Sequence, residues 1–171
     1  MSTIQDYRRT DLRASFDGSP FWLVSRVVDG HEQNGLVDKA CVLFSFPDVG
    51  KQIIIREIAV HILRPFTAGT TLELGLYTLT SDNLSTNDSA TAVDDAAFVE
   101  ASDIQPEVVG WYYPTKGGYV DARGAGIISD GENLLVGAAT DVPAVVISPK
   151  VATIITGQVQ VALFVTYVPA S

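Results

Sequence analysis

The chain has 171 residues, of which 47% are hydrophobic and only 18% charged, and it carries a formal net charge of −9. That length suits one domain, and so acidic a surface repels phosphate backbones, which argues against direct nucleic-acid binding. No apolar run approaches the ~18 residues of a membrane-spanning helix, so surplus apolar surface is expected in a core and in contacts between subunits.

In chain order, residues 1–20 come first as a polar, extended N-terminal arm ending at Asp17-Gly18-Ser19-Pro20. Arg8, Arg9 and Arg13 there offset Asp6, Asp11 and Asp17, so the whole negative charge belongs to residues 21–171. The arm is either without fixed structure or tied down on a neighbouring subunit. The first residues lack a basic start followed by an apolar block, so no signal peptide is expected, and synthesis in a reducing cytoplasm follows. The single cysteine, Cys41, excludes an intrachain disulfide framework.

Residues 21–171 read as one β-sandwich domain with a jelly-roll-like layout. Strand-length segments at 21–28 and 39–46 end in Asp29-Gly30 and Pro47-Asp48-Val49-Gly50. Residues 51–63 and 70–80 alternate at period two around a Pro/Gly-containing connection, which predicts a hairpin with one buried side. Ile54, Ile58, Val60 and Ile62 fall on one face, with Arg56 as the exception. After a polar loop at 81–92, Asp94 and Asp95 precede Ala96-Ala97-Phe98-Val99, and acids before a short apolar run predict a short helix over 93–102. Further strands are expected at 110–113, 126–129, 133–139, 144–148 and 158–167. In the last, Val159, Val161, Leu163, Val165 and Tyr167 alternate with Gln158, Gln160, Ala162, Phe164 and Thr166. A terminal strand this apolar belongs inside a sheet, because exposed edges invite aggregation. The expectation is all-β: a β-sandwich of about 8–10 antiparallel strands with one short helix and the arm.

The search for chemistry finds no catalytic, cofactor or metal constellation, so a non-enzymatic domain is expected. His31 and His61 are far apart, and His61 shares a strand face with Glu57 and Ala59, which reads as a solvated face and not a zinc site. Cys41 lies among apolar neighbours and reads as an inert core thiol. No G-x-S-x-G elbow occurs, and Gly124-Ala125-Gly126 lacks the third glycine of a dinucleotide loop. Asp82, Asp88, Asp94 and Asp95 offer oxygens for calcium, but the D-x-D-x-D-G spacing is absent and a solvated loop is the simpler reading. Trp111-Tyr112-Tyr113 is the densest aromatic cluster. Three readings stand for it: alternate members in the core with the middle one outward, a protein contact patch, or a sugar-stacking platform.

The pattern from Gly50-Lys51-Gln52-Ile53 through Thr70-Thr71-Leu72-Glu73, Asp94-Asp95-Ala96-Ala97, Gly131-Glu132-Asn133-Leu134 and Thr156-Gly157-Gln158-Val159 to Tyr167-Val168-Pro169 resembles the capsid decoration, or cement, proteins of tailed bacteriophages. The resemblance covers roughly residues 50 to 168. It implies a homotrimer seated on the outer surface of the shell and bound to the major capsid protein, in the virion exterior, with no catalytic residues and no cofactor. Related layouts also serve in head-fibre bases and tail parts. On this reading Tyr7, Arg8, Arg9 and Arg13 lace onto a neighbour through charge-assisted hydrogen bonds, and Trp111, Tyr112 and Tyr113 form a contact patch. A glycan-binding β-sandwich is the alternative from a different class, and a hydrolase with acids converging from afar is the weakest.

Overall fold

The computed structural model describes residues 2–8, 20–30, 40–49, 51–81, 89–114, 134–150 and 156–168. Over these the chain is almost wholly strand: β1 (Ser2–Asp6), β2 (Phe21–Val24), β3 (Val28–Asp29), β4 (Ala40–Ser45), β5 (Gln52–Arg64), β6 (Thr71–Leu79), β7 (Ser89–Val99), β8 (Gly110–Tyr112), β9 (Leu134–Val136), β10 (Val142–Lys150) and β11 (Gln158–Val168). The expected all-β sandwich is present, as two packed layers. One layer closes on itself as a barrel in the order β1-β4-β10-β6-β7. The other is an open sheet in the order β2-β11-β5-β8, with β3 also paired to β11 and β9 to β5. Among the described residues no helix is long and apolar enough to cross a membrane.

Period-two alternation explains the layering. Ile58, Val60 and Ile62 of β5 and Val159, Val161, Leu163 and Val165 of β11 point one way. They meet Leu43 of β4, Leu72 and Leu74 of β6 and Val145 and Ile147 of β10 in one core between the layers. A second, smaller cluster joins Val42, Tyr77, Leu79, Ala90, Val142, Ala144 and Val146. These residues lie on the opposite face of the same strands, which is the inside of a closed sheet. There alanines and valines pack beside the larger Tyr77 and Leu79, and Tyr77 and Ser148 share a hydroxyl hydrogen bond at 3.2 Å.

Four expectations change. First, β5 and β6 do not form a hairpin: β5 pairs with β11, β8 and β9, and β6 with β10 and β7. Their connection arches from one layer to the other, held by Phe66 N–H donating to Pro106 O (2.9 Å) and Thr67 N–H to Thr156 O (3.3 Å). Alternation reports that both strands bury one face, and two such faces stack across a core as readily as they pair edge to edge. Second, the phase of β5 slips at Arg56. The register jumps from Phe164↔Glu57 to Val165↔Ile55, leaving Arg56 as a bulge whose Nε donates to Thr166 Oγ1 at 2.6 Å. Ile53 and Ile55 are therefore buried, and Ile54 is only half-buried.

Third, the helix expected over 93–102 is strand as far as Val99, followed by a 3-10 turn at Ala101–Asp103. Asp94 does not cap a helix; its Oδ1 accepts the N–H of Ala96 at 3.0 Å. The backbone at Asp94 and Asp95 crosses so close to Gly75 that a Cβ there would lie 2.5 Å from Asp94 O. The open edge of β6 takes the segment as a strand, and its register shifts around this crossing.

Fourth, the start of the chain is no appendage. β1 closes the barrel, parallel to β4 (Ile4↔Ala40) and antiparallel to β7 (Ser2↔Ala90). Tyr7 follows, buried, with its N–H donating to Val42 O (2.8 Å) and its carbonyl accepting from Arg26 N–H (3.0 Å). Residues 9–19 of the expected arm and the expected strand at 126–129 lie outside the described residues. β11 does lie inside its sheet, between β5 and β2.

Candidate interaction face

The side of the open sheet that turns away from the barrel is built from three cross-strand rows. Because β5 and β11 bury their other phase, Glu57, Ala59 and His61 share this side with Gln160, Ala162 and Phe164. The first row runs Trp111, His61, Gln160 across β8, β5 and β11. The second runs Ala59, Ala162, Val24 across β5, β11 and β2, and the third runs Glu57, Phe164, Trp22 across the same strands.

Aromatic rings occupy opposite corners. His61 lies on the indole of Trp111, with centroids 4.1 Å apart and planes 12° apart, and Tyr113 is nearly parallel to Trp111 at 6.2 Å. At the other corner Trp22 and Phe164 meet at 5.1 Å. Trp22, Trp111 and Tyr113 are 44%, 52% and 43% exposed, and they are the only exposed aromatics among the described residues. All three therefore sit on one face. Between the corners Ala59 and Ala162, only 3% and 8% exposed, form a low central row. No family model, curated protein or solved structure matches the chain.

The aromatic triplet thus divides, but in the opposite sense to the simple core reading. The middle ring, Tyr112, packs inward, and its hydroxyl donates to Gln105 O and Val108 O at 3.1 Å each. The two flanking rings face out. His61 lies, as expected, on the face it shares with Glu57 and Ala59; Trp22 and Phe164 complete that face and were not singled out from the sequence. Phe164 carries a readable signal, since it is an aromatic in the outward phase of a strand whose other phase is apolar. Trp22 carries none, because Phe21-Trp22-Leu23-Val24 is apolar throughout and shows no phase.

The other expected contact residues behave differently. Tyr7 belongs to the core. Arg8 holds Asp6 through two hydrogen bonds of 2.9 Å and donates through Nη1 to Ser45 Oγ at 2.7 Å, so its guanidinium fastens β1 within its own subunit. Burial pushes the Asp6 carboxyl up, but the hydrogen bonds and charge of Arg8, with Arg26, outweigh it and leave Asp6 below the usual carboxylate range. Arg9 and Arg13 lie outside the described residues, as do His31, Asp82 and Asp88. Cys41 is fully buried. Asp95 pairs with Lys150 at 3.2 Å, and Lys150 also pairs with Glu73. Those contacts, that of Glu73 foremost, raise the Lys150 ammonium above its ordinary range.

Three large rings lie beside a low alanine row, with Glu57 the one carboxylate in the three rows. Large aromatic side chains lose little conformational entropy on contact and dominate the energetics of protein interfaces.

Proposed function

We propose that the chain is a virion structural protein of the capsid-decoration kind, which self-associates and docks on the outside of a shell of major capsid protein. The observation that carries this reading is the outward face of the open sheet, where every exposed aromatic among the described residues gathers on a charge-poor surface. An isolated domain gains nothing from leaving two tryptophans half in water; a protein whose role is contact does. The sequence pattern over residues 50 to 168 supports the shell as the partner. So does the formal charge of −9, which suits the outside of a shell filled with nucleic acid better than the inside.

Co-sedimentation with assembled shells, followed by electron microscopy, tests the reading. Purified protein is expected to pellet with shells at a fixed stoichiometry and to raise their melting temperature, with density on the outer surface. Failure to bind shells, or binding to glycans in their place, removes it.

A further inference from the structure

We infer that the open edge of β2 pairs with the β2 edge of a second copy, joining the two open sheets antiparallel about a two-fold axis at Trp22. The inference deepens, and rests on, the self-association part of the reading above. It gives two copies and not the three implied by the sequence resemblance.

Hydrogen bonding defines the edge. Ser25 N–H donates to Val161 O at 2.8 Å on the β11 side, and Arg26 N–H donates to Tyr7 O at 3.0 Å on the other side. Backbone groups of an antiparallel strand alternate residue by residue. Phe21 and Leu23 therefore turn theirs to β11, and Trp22 and Val24 turn theirs away. Among the described residues no strand takes that outer edge. β2 holds no charge, no proline and no bulge that would guard it. What such an edge accepts is another strand.

The two ends of the edge select the register. Tyr7 fills the place opposite Arg26, so a pairing that carries the second strand past Val24 is blocked. Pro20, just before the strand, has no N–H to give. Setting Trp22 opposite Trp22 of the second copy stops short of Tyr7 and uses both donors of the edge. Trp22 N–H then donates to Trp22 O, and Val24 N–H to Pro20 O, across the axis in each direction. A shift toward Pro20 sets its missing N–H in the centre of the ladder.

Side chains select the occupant. The Trp22 indole rests on Phe164 at 5.1 Å, yet the residue stays 44% exposed. A second copy lays its own Trp22 beside it, and the outward row runs Phe164, Trp22, Trp22, Phe164 across the axis. Aromatic pairs opposite one another stabilise antiparallel strands. On the inward side Phe21 meets Leu23 of the second copy, which extends the apolar layer they already pack against. A strand from elsewhere would form backbone bonds without repeating this row. Charge agrees, since copies that each carry −9 meet best on a strand without carboxylates. Pairing at this edge leaves the Trp111 corner of both copies uncovered.

Light scattering and amide hydrogen exchange of the full chain test this. The wild-type protein is expected at the mass of two copies. Its Trp22 and Val24 amides are expected to exchange slowly there and quickly on dilution to single copies. Val24→Pro removes an N–H that β11 does not use, and edge strands tolerate proline so placed. It is expected to give single copies with the melting temperature of diluted wild type. Trp22→Lys sets like charges opposite one another and is expected to weaken pairing at least about tenfold. Trp111→Ser, at the far corner, is expected to leave pairing within about twofold of wild type. A wild-type monomer, an assembly whose Trp22 and Val24 amides exchange quickly, or pairing that survives both β2 variants would overturn the inference. Shell binding is read separately. Edge-joined pairs that ignore shells sink the capsid reading and leave this one standing, and single copies that bind shells do the reverse.

Discussion

Gly75 shows how one missing side chain sets a chain path. It sits on β6 where the backbone of Asp94 and Asp95 crosses, and a methyl group there would overlap Asp94 O and the Cα of Asp95, at 2.5 and 2.6 Å. Both obstacles are backbone, so a substitution has to push β7 away. Gly75→Ala is expected to destabilise the fold by about 1–3 kcal/mol, read as a lower urea midpoint, whereas Val93→Ala on the exposed part of β7 stays within about 0.5 kcal/mol. An unchanged midpoint in the first variant would show that β7 does not lie against β6 there. Arg56 acts as a second switch of path. As the extra residue of a bulge, it exchanges which isoleucines of β5 face the core. Neither effect was readable beforehand: Gly75 fell in the outward phase of a well-formed strand, and Arg56 read as an isolated exception to it.

Among the strands, β1 depends most on its surroundings. It is five residues long and lies between β4 and β7. Arg8 clamps its end to Asp6 and Ser45. A short polar segment with no alternation is indistinguishable in sequence from a loose arm, because its strand pairing comes from partners 36 and 88 residues away, as Ile4↔Ala40 and Ser2↔Ala90 show. Deleting residues 2–8 therefore opens the barrel. The shortened chain is expected to lose at least about 3 kcal/mol of stability in denaturant titration, the order of a broken network together with an uncovered core edge. Arg8→Ala, which leaves the strand and removes the clamp, costs about 1–2 kcal/mol. A deletion as stable as the whole chain would return residues 2–8 to the role of an arm. The same reasoning sets out what was legible. The long strands 51–63, 70–80 and 158–167 were, since each carries several turns of alternation; their neighbours were not, and the acid-led segment at 93–102 obeyed the open edge of β6 over its own helix signals. Of the face, Trp111 and Tyr113 were legible as a cluster, but their sense was not, nor was their alliance with Trp22 across the sheet.

At the scale of the molecule, two protonated groups tie stability to pH in the alkaline range. Tyr167 on β11 stacks on Phe21 (5.5 Å, 9°) and meets Phe46 edge-on. Burial, with the nearby Asp48 carboxylate, pushes its phenol up to about 12 from 10.0. Lys150 is raised from 10.5 by Glu73. Both folded values exceed the unfolded ones, so the associated stability is fully present below about pH 10 and is lost as pH climbs through the folded values. Tyr167 accounts for about 2–3 kcal/mol of that loss at its limit. Melting temperature is expected to fall steeply between pH 10 and 12, and Tyr167→Phe to flatten that fall. A variant whose pH profile matches the wild type would remove Tyr167 as the cause.

The closure of the barrel also fixes when the chain can fold on the ribosome. β4 and β6 are joined only through β10, and β1 has its second neighbour only in β7. In the other layer β2 and β5 meet only through β11. The opening strand thus has its first partner once β4 is made and its second only with β7. Neither layer is complete before β10 and β11 have been made, and native pairing over such sequence distances is slow to form.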